Sequence, residues 1–290
     1  ARSGGGGRGI RVVEDETTFV SNFTQATREA EAAFGDGAVY LERFFPTVRH
    51  IEVQVLGDGK GDALVFDERD CSVQRRHQKL VEESPSPAVG TALRKKLLDA
   101  AKRLTKGIKY EGAGTVEFIL TPETNEVFFI EMNTRIQVEH PVTELVTGTD
   151  LIKEQIRVAA GEKLSLEATP TLRGHAIECR INAEDPDHGF RPSPGAITSF
   201  HAPGGLGIRV DSHIYAGYVV PPYYDSLLAK LIVSGKTREE ARIRAYHALE
   251  EFVIEGVHTT IPFLRKVLAH QDFVSGDFNT GFVEQFLTRR

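Results

Sequence analysis

The sequence predicts an α+β protein, and two patterns support that prediction. Apolar residues recur at helical spacing in four separated segments, whereas other segments alternate apolar and polar residues between Gly, Pro, Asn or Asp. The chain has 290 residues, which is enough for two domains. A short connector lies at about residues 164–171, so we expect one unit over residues 1–168 and a second over residues 169–290.

The expected elements follow in chain order. Helices are predicted over residues 14–34, 91–105, 150–160 and 238–252, with Gly35 and Gly161 ending the first and the third. Strands are predicted over residues 38–44, 50–56, 63–66, 114–120, 127–132, 176–182, 197–201, 208–210 and 228–233. The strands at 114–120 and 127–132 form a hairpin whose turn covers residues 121–125, and a shorter helical segment closes the chain.

The bulk composition argues against several classes of partner. Asp and Glu total 41 against 35 Lys and Arg, which gives a net charge of -6. That balance does not favour nucleic acid or an anionic membrane surface, and no apolar run approaches the ~20 residues that span a bilayer. Cys71 and Cys179 are too few and too far apart for a disulfide framework. We therefore expect free thiols in a reducing cytoplasm.

The hairpin carries the clearest chemical signal. A turn centred on Thr124 places Glu117 directly opposite Glu131. Like charges that face each other across two strands repel, but a shared Mg²⁺ or Mn²⁺ would bind both, because hard cations take carboxylate oxygens. Asn133 follows at strand spacing and adds a carbonyl oxygen on the same face. We therefore predict a metal site at Glu117, Glu131 and Asn133.

Polar residues continue to alternate beyond Asn133, at Arg135, Gln137 and Glu139. If the backbone stays extended, these side chains share the face of the metal site and can bind an anion there. The alternative is an ordinary solvent-exposed face, as in most antiparallel sheets. Such a face would favour Lys, Thr and Ser, and none stands at these positions, so the pattern favours a combined metal and anion site.

Three further groups of residues are candidate ligand sites, and the first two suit anions. The glycine-rich run at residues 3–9 can turn successive backbone N–H groups toward a phosphate, although a flexible tail is the alternative. Residues 74–79 concentrate cationic and amide donors, although a solvated basic loop would look the same. His50 and Glu52 share one strand face and serve either a ligand or a plain surface.

Several of these segments together resemble biotin carboxylases. The matching motifs are Ser-Gly-Gly-Gly-Gly-Arg-Gly at residues 3–9, Glu-Arg-Asp-Cys-Ser at 68–72, Gln-Arg-Arg-His-Gln-Lys at 74–79, Glu-Met-Asn-Thr-Arg-Ile-Gln-Val-Glu-His-Pro at 131–141, Glu-Cys-Arg-Ile-Asn-Ala-Glu-Asp-Pro at 178–186, His-Ile-Tyr-Ala-Gly-Tyr at 213–218 and Pro-Pro-Tyr-Tyr-Asp-Ser at 221–226. The first motif is general to ATP-grasp enzymes, and the later ones are specific to biotin-dependent carboxylases. The resemblance covers essentially the whole chain.

This resemblance implies a fold and a reaction. The fold would be a partial ATP-grasp core over residues 1–168, with a glycine-rich lid over about residues 1–40, followed by a C-terminal biotin carboxylase domain over residues 169–290. The family uses ATP to activate bicarbonate as carboxyphosphate and then carboxylates biotin on a carrier protein. By the same resemblance, the family's N-terminal domain and its ATP-gripping lysines precede Ala1, so the activity of this chain by itself stays open.

The resemblance also implies a role for each matching position. Glu117 and Glu131, with Asn133 beside them, would hold Mg²⁺ or Mn²⁺ on the ATP phosphates. The residues with bicarbonate, biotin or catalytic roles would be Arg135, Gln137 and Val138 for bicarbonate, Glu139 as the base that takes its proton, and Arg180 for the biotin enolate, with Arg135 also catalytic. The nucleotide contacts would be Gly5, Gly6, Gly7, Glu42, Arg43, Phe45, His50, Gln74, His77, Glu117, Ile119 and Glu131.

The implied partners are a biotin carboxyl carrier protein, carboxyltransferase subunits and a second copy of the chain. The first expectation is the biotin carboxylase subunit of acetyl-CoA carboxylase in fatty acid synthesis, and the alternative is a segment of another acyl-CoA carboxylase or of a pyruvate carboxylase. Two rival interpretations are a different ATP-grasp ligase, which joins a carboxylate to an amine, and a non-catalytic module. ATP hydrolysis that requires bicarbonate would separate them.

Overall fold

The computed structural model describes residues 1–4 and 9–288, which form two compact units. One unit contains residues 1–46 with 76–78, and the other contains residues 47–75 with 79 onward. Within the described ranges, every helix is too short or too polar to cross a membrane. The helices are, in order, α1 (Glu16–Phe34), α2 (Thr91–Gly107), α3 (His140–Thr147), α4 (Leu151–Ala159), α5 (Arg238–Glu251), α6 (Ile261–Ala269), α7 (Gln271–Ser275) and α8 (Phe282–Thr288).

Fourteen strands accompany these helices in the described part of the chain. They are β1 (Arg49–Asp58), β2 (Ala63–Arg75), β3 (Gln78–Ser84), β4 (Glu111–Thr121), β5 (Glu126–Asn133), β6 (His175–Asn182), β7 (Glu184–Asp185), β8 (Arg191–Pro192), β9 (Gly195–Ala196), β10 (Ser199–His201), β11 (Ile208–Ser212), β12 (Val219–Val220), β13 (Leu227–Gly235) and β14 (Val253–Glu255). The mixture of helices and strands confirms the predicted α+β class.

The first unit is organised around α1. Asp15 caps its N-terminus by accepting hydrogen bonds from the backbone N–H groups of Thr17 and Thr18. Gly35 ends the helix in the left-handed region at φ 67°, where glycine has no steric penalty. The helix predicted over residues 14–34 is therefore confirmed, and α1 buries only two of its side chains, Ala26 and Ala30.

The second unit is built on one eight-stranded sheet with the order β11-β13-β6-β3-β2-β1-β4-β5. The registered pairs β1–β2, β1–β4, β4–β5, β3–β6, β6–β13 and β11–β13 are all antiparallel. Strands from both sides of the predicted boundary at residue 168 belong to this sheet, because β3 pairs directly with β6. The division at residue 168 stays a prediction.

The two faces of the sheet differ in chemistry. On one face, Ile51, Val53 and Val116 pack with Leu93 and Leu97 of α2 in a buried apolar cluster. A second apolar cluster on that side joins β6 and β13 to α5 and α6. On the opposite face, α3 packs its Val142 and Val146 against Ala176 and Ile232. The strand residues whose side chains point to this face include many charged groups, and these form the candidate site.

Two predictions about the backbone are wrong. The predicted strand at residues 38–44 is absent, since residues 36–45 pair with no neighbouring strand in the described chain, and an extended segment needs such a neighbour to form a ladder. The extended backbone predicted through Glu139 is also wrong, because β5 ends at Asn133 and Glu139 is the N-cap of α3. Pro141 near the start of α3 and Gly148 at its C-cap are the helix signals that the alternating pattern obscured.

Candidate active site

A row of four charged residues crosses the polar face of the sheet. Arg69 of β2 is registered with Glu52 of β1, Glu52 with Glu117 of β4, and Glu117 with Glu131 of β5. Residues that are directly opposite in an antiparallel ladder project to the same side, so one cation and three carboxylates lie side by side. Such a row is unfavourable unless other cations offset its negative charge.

The predicted pairing of Glu117 with Glu131 is confirmed, and it depends on a β-bulge. Nearer the turn, Phe118 is registered with Phe129, and the register then shifts so that Glu117 meets Glu131. Ile130 is the extra, unpaired residue between them. An unbroken ladder would have placed Ile130 opposite Glu117 and turned Glu131 to the other face.

One buried and one partly buried cation offset the negative charge of the row. Arg69 is fully buried, and its Nε lies 2.8 Å from Glu52 Oε1. Lys79 Nζ lies 2.7 Å from Glu52 Oε2 and also contacts Glu139. Burial alone would raise the pKa of Glu52, but the charges of Lys79 and Arg69 outweigh it and hold that pKa well below the ordinary value.

Arg69 also positions neutral side chains around the row. Its guanidinium donates to the side-chain oxygens of Gln54 at 2.8 Å and of Gln137 at 3.1 Å. Gln137 in turn donates from Nε2 to Glu117 Oε1 at 2.8 Å. The chain of hydrogen bonds therefore links Arg69 through Gln137 to the carboxylate of Glu117, the third residue of the row.

Glu117 stays ionised in this environment. Burial opposes its charge, but His50, whose Nε2 lies 3.2 Å from Glu117 Oε2, and Lys79 stabilise the anion. Together with the hydrogen bond from Gln137, they lower the pKa of Glu117 to about 2. An ionised carboxylate at neutral pH is the form that binds a cation.

The donor atoms around Glu117 fit a hard divalent cation. Glu117 and Glu131 supply carboxylate oxygens, and His50, Glu52 and Glu117 each present a ligand atom within 4.8 Å of the others. The Asn133 amide lies between the two acids, but it is the Nδ2 group that donates to Glu117 at 2.9 Å and to Glu131 at 3.3 Å. A cation bound by all three residues therefore requires the amide to turn so that Oδ1 faces the carboxylates.

A second group of charges adjoins the row at Arg180 of β6. Arg180 donates to Glu139 Oε2 at 2.9 Å and to Glu82 Oε1 of β3. Glu139 is thus held between two cations, with Lys79 at one oxygen and Arg180 at the other. Lys230 of β13 donates to the backbone carbonyl of Val138 at 2.9 Å and so fixes the turn that presents Glu139.

Two of the predicted ligand residues are exposed. Arg135 lies in the irregular segment after β5, where it donates to the Ile136 carbonyl at 3.2 Å and approaches Asn133 Oδ1 at 3.4 Å. Glu131 is exposed as well. Their ionic groups are therefore accessible from solvent, whereas Gln137 and Glu139 are buried.

The predicted nucleotide contacts fall into three groups. His50, Gln74 and Ile119 belong to the second unit; His50 is registered with Ile119 and so shares the face of Glu117, and Gln74 is buried near the end of β2. Glu42, Arg43, Phe45 and His77 belong to the first unit, where the Arg43 guanidinium lies 4.8 Å from the centre of the Phe45 ring. Gly5, Gly6 and Gly7 lie outside the described residues.

The sequence gives no specific role to four side chains that hold this site together. Lys79 is only one donor of the basic run at residues 74–79, and Glu52 shares a strand face with His50 without a definite role. Arg69 and Glu82 have no predicted role. A signal for three of them exists, because Arg69, Glu52 and Glu82 occupy fully buried strand positions, where apolar residues are usual. Buried charges in strands are rare unless they are paired.

Comparison with known proteins defines first a class and then a family. Residues 1–167 match the family described as Carbamoyl-phosphate synthase L chain, ATP binding domain. Residues 178–285 match the family described as Biotin carboxylase C-terminal domain. The chain therefore contains an ATP-grasp-type region followed by a biotin carboxylase region, and it belongs to the biotin carboxylase family.

Individual relatives agree with that assignment. The chain is 56% identical over 287 residues to Biotin carboxylase 1 of Bacillus subtilis, covering 99% of this chain and 64% of the relative. It is 49% identical to a pyruvate carboxylase subunit of Methanothermobacter thermautotrophicus, covering 99% of this chain and 58% of the relative. The chain therefore spans less than two thirds of the length of these curated relatives.

A solved structure shows the same fold. The biotin carboxylase domain dimer of Hydrogenobacter thermophilus 2-oxoglutarate carboxylase, in complex with MgADP, ADP and bicarbonate, superposes with a TM-score of 0.94 at 49% sequence identity. The match covers 99% of this chain and 63% of that chain.

Proposed function

We propose that this chain carries the site for ATP-dependent carboxylation of biotin with bicarbonate. The observation that supports the proposal most strongly is the junction of two charged groups, the row Arg69–Glu52–Glu117–Glu131 and the Arg180–Glu139 pair, through Lys79. Phosphoryl transfer depends on neutralising and positioning charge more than on covalent chemistry. Lys79 contacts a carboxylate of each group, so the two halves of the reaction would adjoin one another.

The row is the proposed binding place for Mg²⁺ or Mn²⁺ and the ATP phosphates. Glu117, ionised at neutral pH, and the exposed Glu131 would hold the metal, with Asn133 as a third ligand after its amide turns. The bound metal would neutralise charge on the phosphates. The proposed nucleotide contacts are Gly5, Gly6, Gly7, Glu42, Arg43, Phe45, His50, Gln74, His77 and Ile119.

Bicarbonate and biotin would bind beside Glu139. The proposed hydrogen-bond donors to bicarbonate are the guanidinium of Arg135, the side-chain amide of Gln137 and the backbone of Val138. Glu139 is the proposed base, and one of its oxygens must leave Lys79 or Arg180 before it can accept a proton. Arg180 would then stabilise negative charge on the biotin oxygen, which makes the ureido nitrogen a better nucleophile.

The proposed partners are a biotin carboxyl carrier protein, carboxyltransferase subunits and a second copy of this chain. The H. thermophilus relative, described as a dimer, supports the homodimer. Acetyl-CoA carboxylase, and with it fatty acid synthesis, is the proposed setting, although relatives named for pyruvate and 2-oxoglutarate carboxylation support a different final acceptor equally well. The two free, buried cysteines support a reducing cytoplasm.

The test is ATP hydrolysis by this chain with Mg²⁺, with and without bicarbonate and free biotin. We expect hydrolysis that requires bicarbonate, and a loss of at least about 100-fold in Glu131→Gln, because one removed metal ligand removes charge stabilisation in the transition state. Glu126→Gln, an exposed acid at the start of the same strand, is the matched control and retains activity.

Metal binding gives a second measurement that does not need turnover. The paramagnetic signal of Mn²⁺ reports its bound fraction, and Glu131→Gln should weaken binding while Glu126→Gln leaves it unchanged. Hydrolysis that proceeds equally without bicarbonate would favour a different ATP-grasp ligase. Mn²⁺ binding without any hydrolysis would leave the metal site in place but show that this chain by itself does not turn over ATP.

A further inference from the structure

Glu82 and Glu178 form a pair of buried acids that the proposed reaction does not use. Glu82 of β3 is registered directly with Glu178 of β6, so both side chains project to the polar face of the sheet. Both residues are fully buried. Two neighbouring carboxylates in such a place cannot both ionise without a large electrostatic penalty.

Three of the four carboxylate oxygens of the pair have no hydrogen-bond donor within residues 1–4 and 9–288, so one of them can carry a proton. Glu82 Oε1 accepts from Arg180, but Glu82 Oε2 and both oxygens of Glu178 have no hydrogen-bond partner among the described residues. Carboxylate oxygens only accept, whereas a protonated carboxyl also donates. One proton on the pair would satisfy a buried oxygen and remove the repulsion at once.

The nearest cation does not offset the charge of Glu178. Arg180 donates to Glu82 and to Glu139, and no donor of the described chain reaches either oxygen of Glu178. A proton on Glu178 removes a charge that no hydrogen bond stabilises.

We propose that Glu82 and Glu178 share one proton, and that Glu178 thereby acts as a positioning residue for Arg180 through Glu82. With the proton on Glu178, Glu82 keeps a full negative charge for the Arg180 guanidinium, which stays directed at Glu139. Without the proton, two anions compete for Arg180 and draw it away from Glu139. The consequence for catalysis depends on the proposed role of Arg180, whereas the shared proton does not.

Titratable and charged groups of several elements surround the pair. Those that act on it are Cys71 of β2, Lys79 of β3, Cys179 and Arg180 of β6, Lys230 of β13 and Glu139 in the turn before α3. Helix α3, which packs against β6, adds His140 and Glu144. Burial first, and then Glu82, raise the pKa of Glu178 well above its ordinary value, with Lys230 and Arg180 opposing them. Burial also raises the pKa of Glu82, but the charge of Arg180 opposes it and favours the anion on Glu82 rather than on Glu178.

Infrared spectroscopy of the folded chain without substrates tests the proposal. A protonated carboxylic acid has a C=O stretching band that a carboxylate lacks, and we expect this band at neutral pH in the wild type. Glu178→Gln should abolish it, because Glu82 then keeps its charge for Arg180. Glu82→Gln should retain the band at a shifted frequency, because burial still favours the neutral form of Glu178. Glu83→Gln is the matched control: Glu83 is a buried neighbour in the same strand that projects to the other face, where it contacts His175 and Arg238, and its replacement should leave the band intact.

A second measurement uses the pH dependence of unfolding. An acid whose pKa is raised on folding makes the native state less stable as pH rises from the unfolded pKa to the folded one. Relative to wild type, the unfolding equilibrium constant of Glu178→Gln should therefore fall by up to about tenfold per pH unit over that interval. If the glutamine variants do not fold, loss of the wild-type band on raising the pH serves instead.

Absence of the band from the wild type at neutral pH, or an unchanged band in Glu178→Gln, would overturn the proposal. Failure of bicarbonate-dependent hydrolysis would overturn the proposed function alone, because the infrared band needs no substrate.

Discussion

Arg69 illustrates how one buried side chain can organise a site. Its guanidinium contacts Glu52, Gln54, Thr115, Gln137 and Thr143 at distances between 2.8 and 3.3 Å. A planar group with five N–H donors matches this arrangement, and an ammonium group does not. The motif that contains Arg69 gives no indication of these partners, because they come from three separate parts of the chain.

Replacement of Arg69 should therefore be costly for stability. In Arg69→Met we expect the free energy of unfolding to fall by about 3–5 kcal/mol, because Glu52 loses a buried counter-charge. Arg69→Lys keeps the positive charge but loses the planar guanidinium with its five donors. The fall in the free energy of unfolding should therefore be smaller than for Arg69→Met. Arg103→Met, at an exposed position of α2, should change the free energy by less than about 0.5 kcal/mol. Urea unfolding measures all three, and a loss under about 1 kcal/mol for Arg69→Met would contradict this explanation.

At the scale of elements, the sequence predicted the long helices and the hairpin well, because their periodicity and end signals agree. The helix at residues 91–105 corresponds to α2, and that at 238–252 corresponds to α5. The errors fall where local signals compete with distant contacts. The polar alternation after Asn133 was interpreted as strand, yet Gln137 and Glu139 reach the site from a turn and a helix N-cap, held by Arg69, Lys79 and Arg180 on other strands.

The end of α3 gives a prediction for an element. Gly148 is the C-cap at φ 68°, and a Cβ added there would meet no atom within 4 Å. Gly148→Ala should therefore cost about 1 kcal/mol of unfolding free energy from backbone strain alone. Gly107, at the end of α2 with equally open space and no positive φ, is the matched control, and Gly107→Ala should be neutral or stabilising. Thermal unfolding of both variants measures the difference; equal effects would show that the left-handed backbone is not the cause.

At the scale of the whole molecule, the sequence predicted the class of fold and most of its elements but not how the strands combine. The short connector near residue 168 predicts two units, and the two family matches fall on either side of it. Strand pairing between β3 and β6 joins residues that are far apart in the chain, and local periodicity contains no information about such contacts. The same limit explains why the contacts of both Lys79 and Arg180 with Glu139 were not predicted.

Hydrogen exchange tests whether the shared sheet unfolds as one. We expect amides of β1 and β13, which lie on opposite sides of residue 168, to exchange with the same high free energy, because the continuous ladder couples them. Amides of α1 should exchange much faster, since that helix buries only two side chains. Mass spectrometry of peptides from the native chain measures each element separately. Much faster exchange in β13 than in β1 would support two independently unfolding units instead.

The extra residue in β5 also bears on how such a chain can change over generations. A variant that lacked Ile130 would keep its two opposed acids, since an unbroken ladder would then bring Glu131 to the same partner. A variant that kept Ile130 but straightened the strand would present an apolar side chain to Glu117 and lose the acid from that face. We therefore expect inherited loss of Ile130 to be tolerated more readily than an exchange of either opposed acid, Glu117 or Glu131.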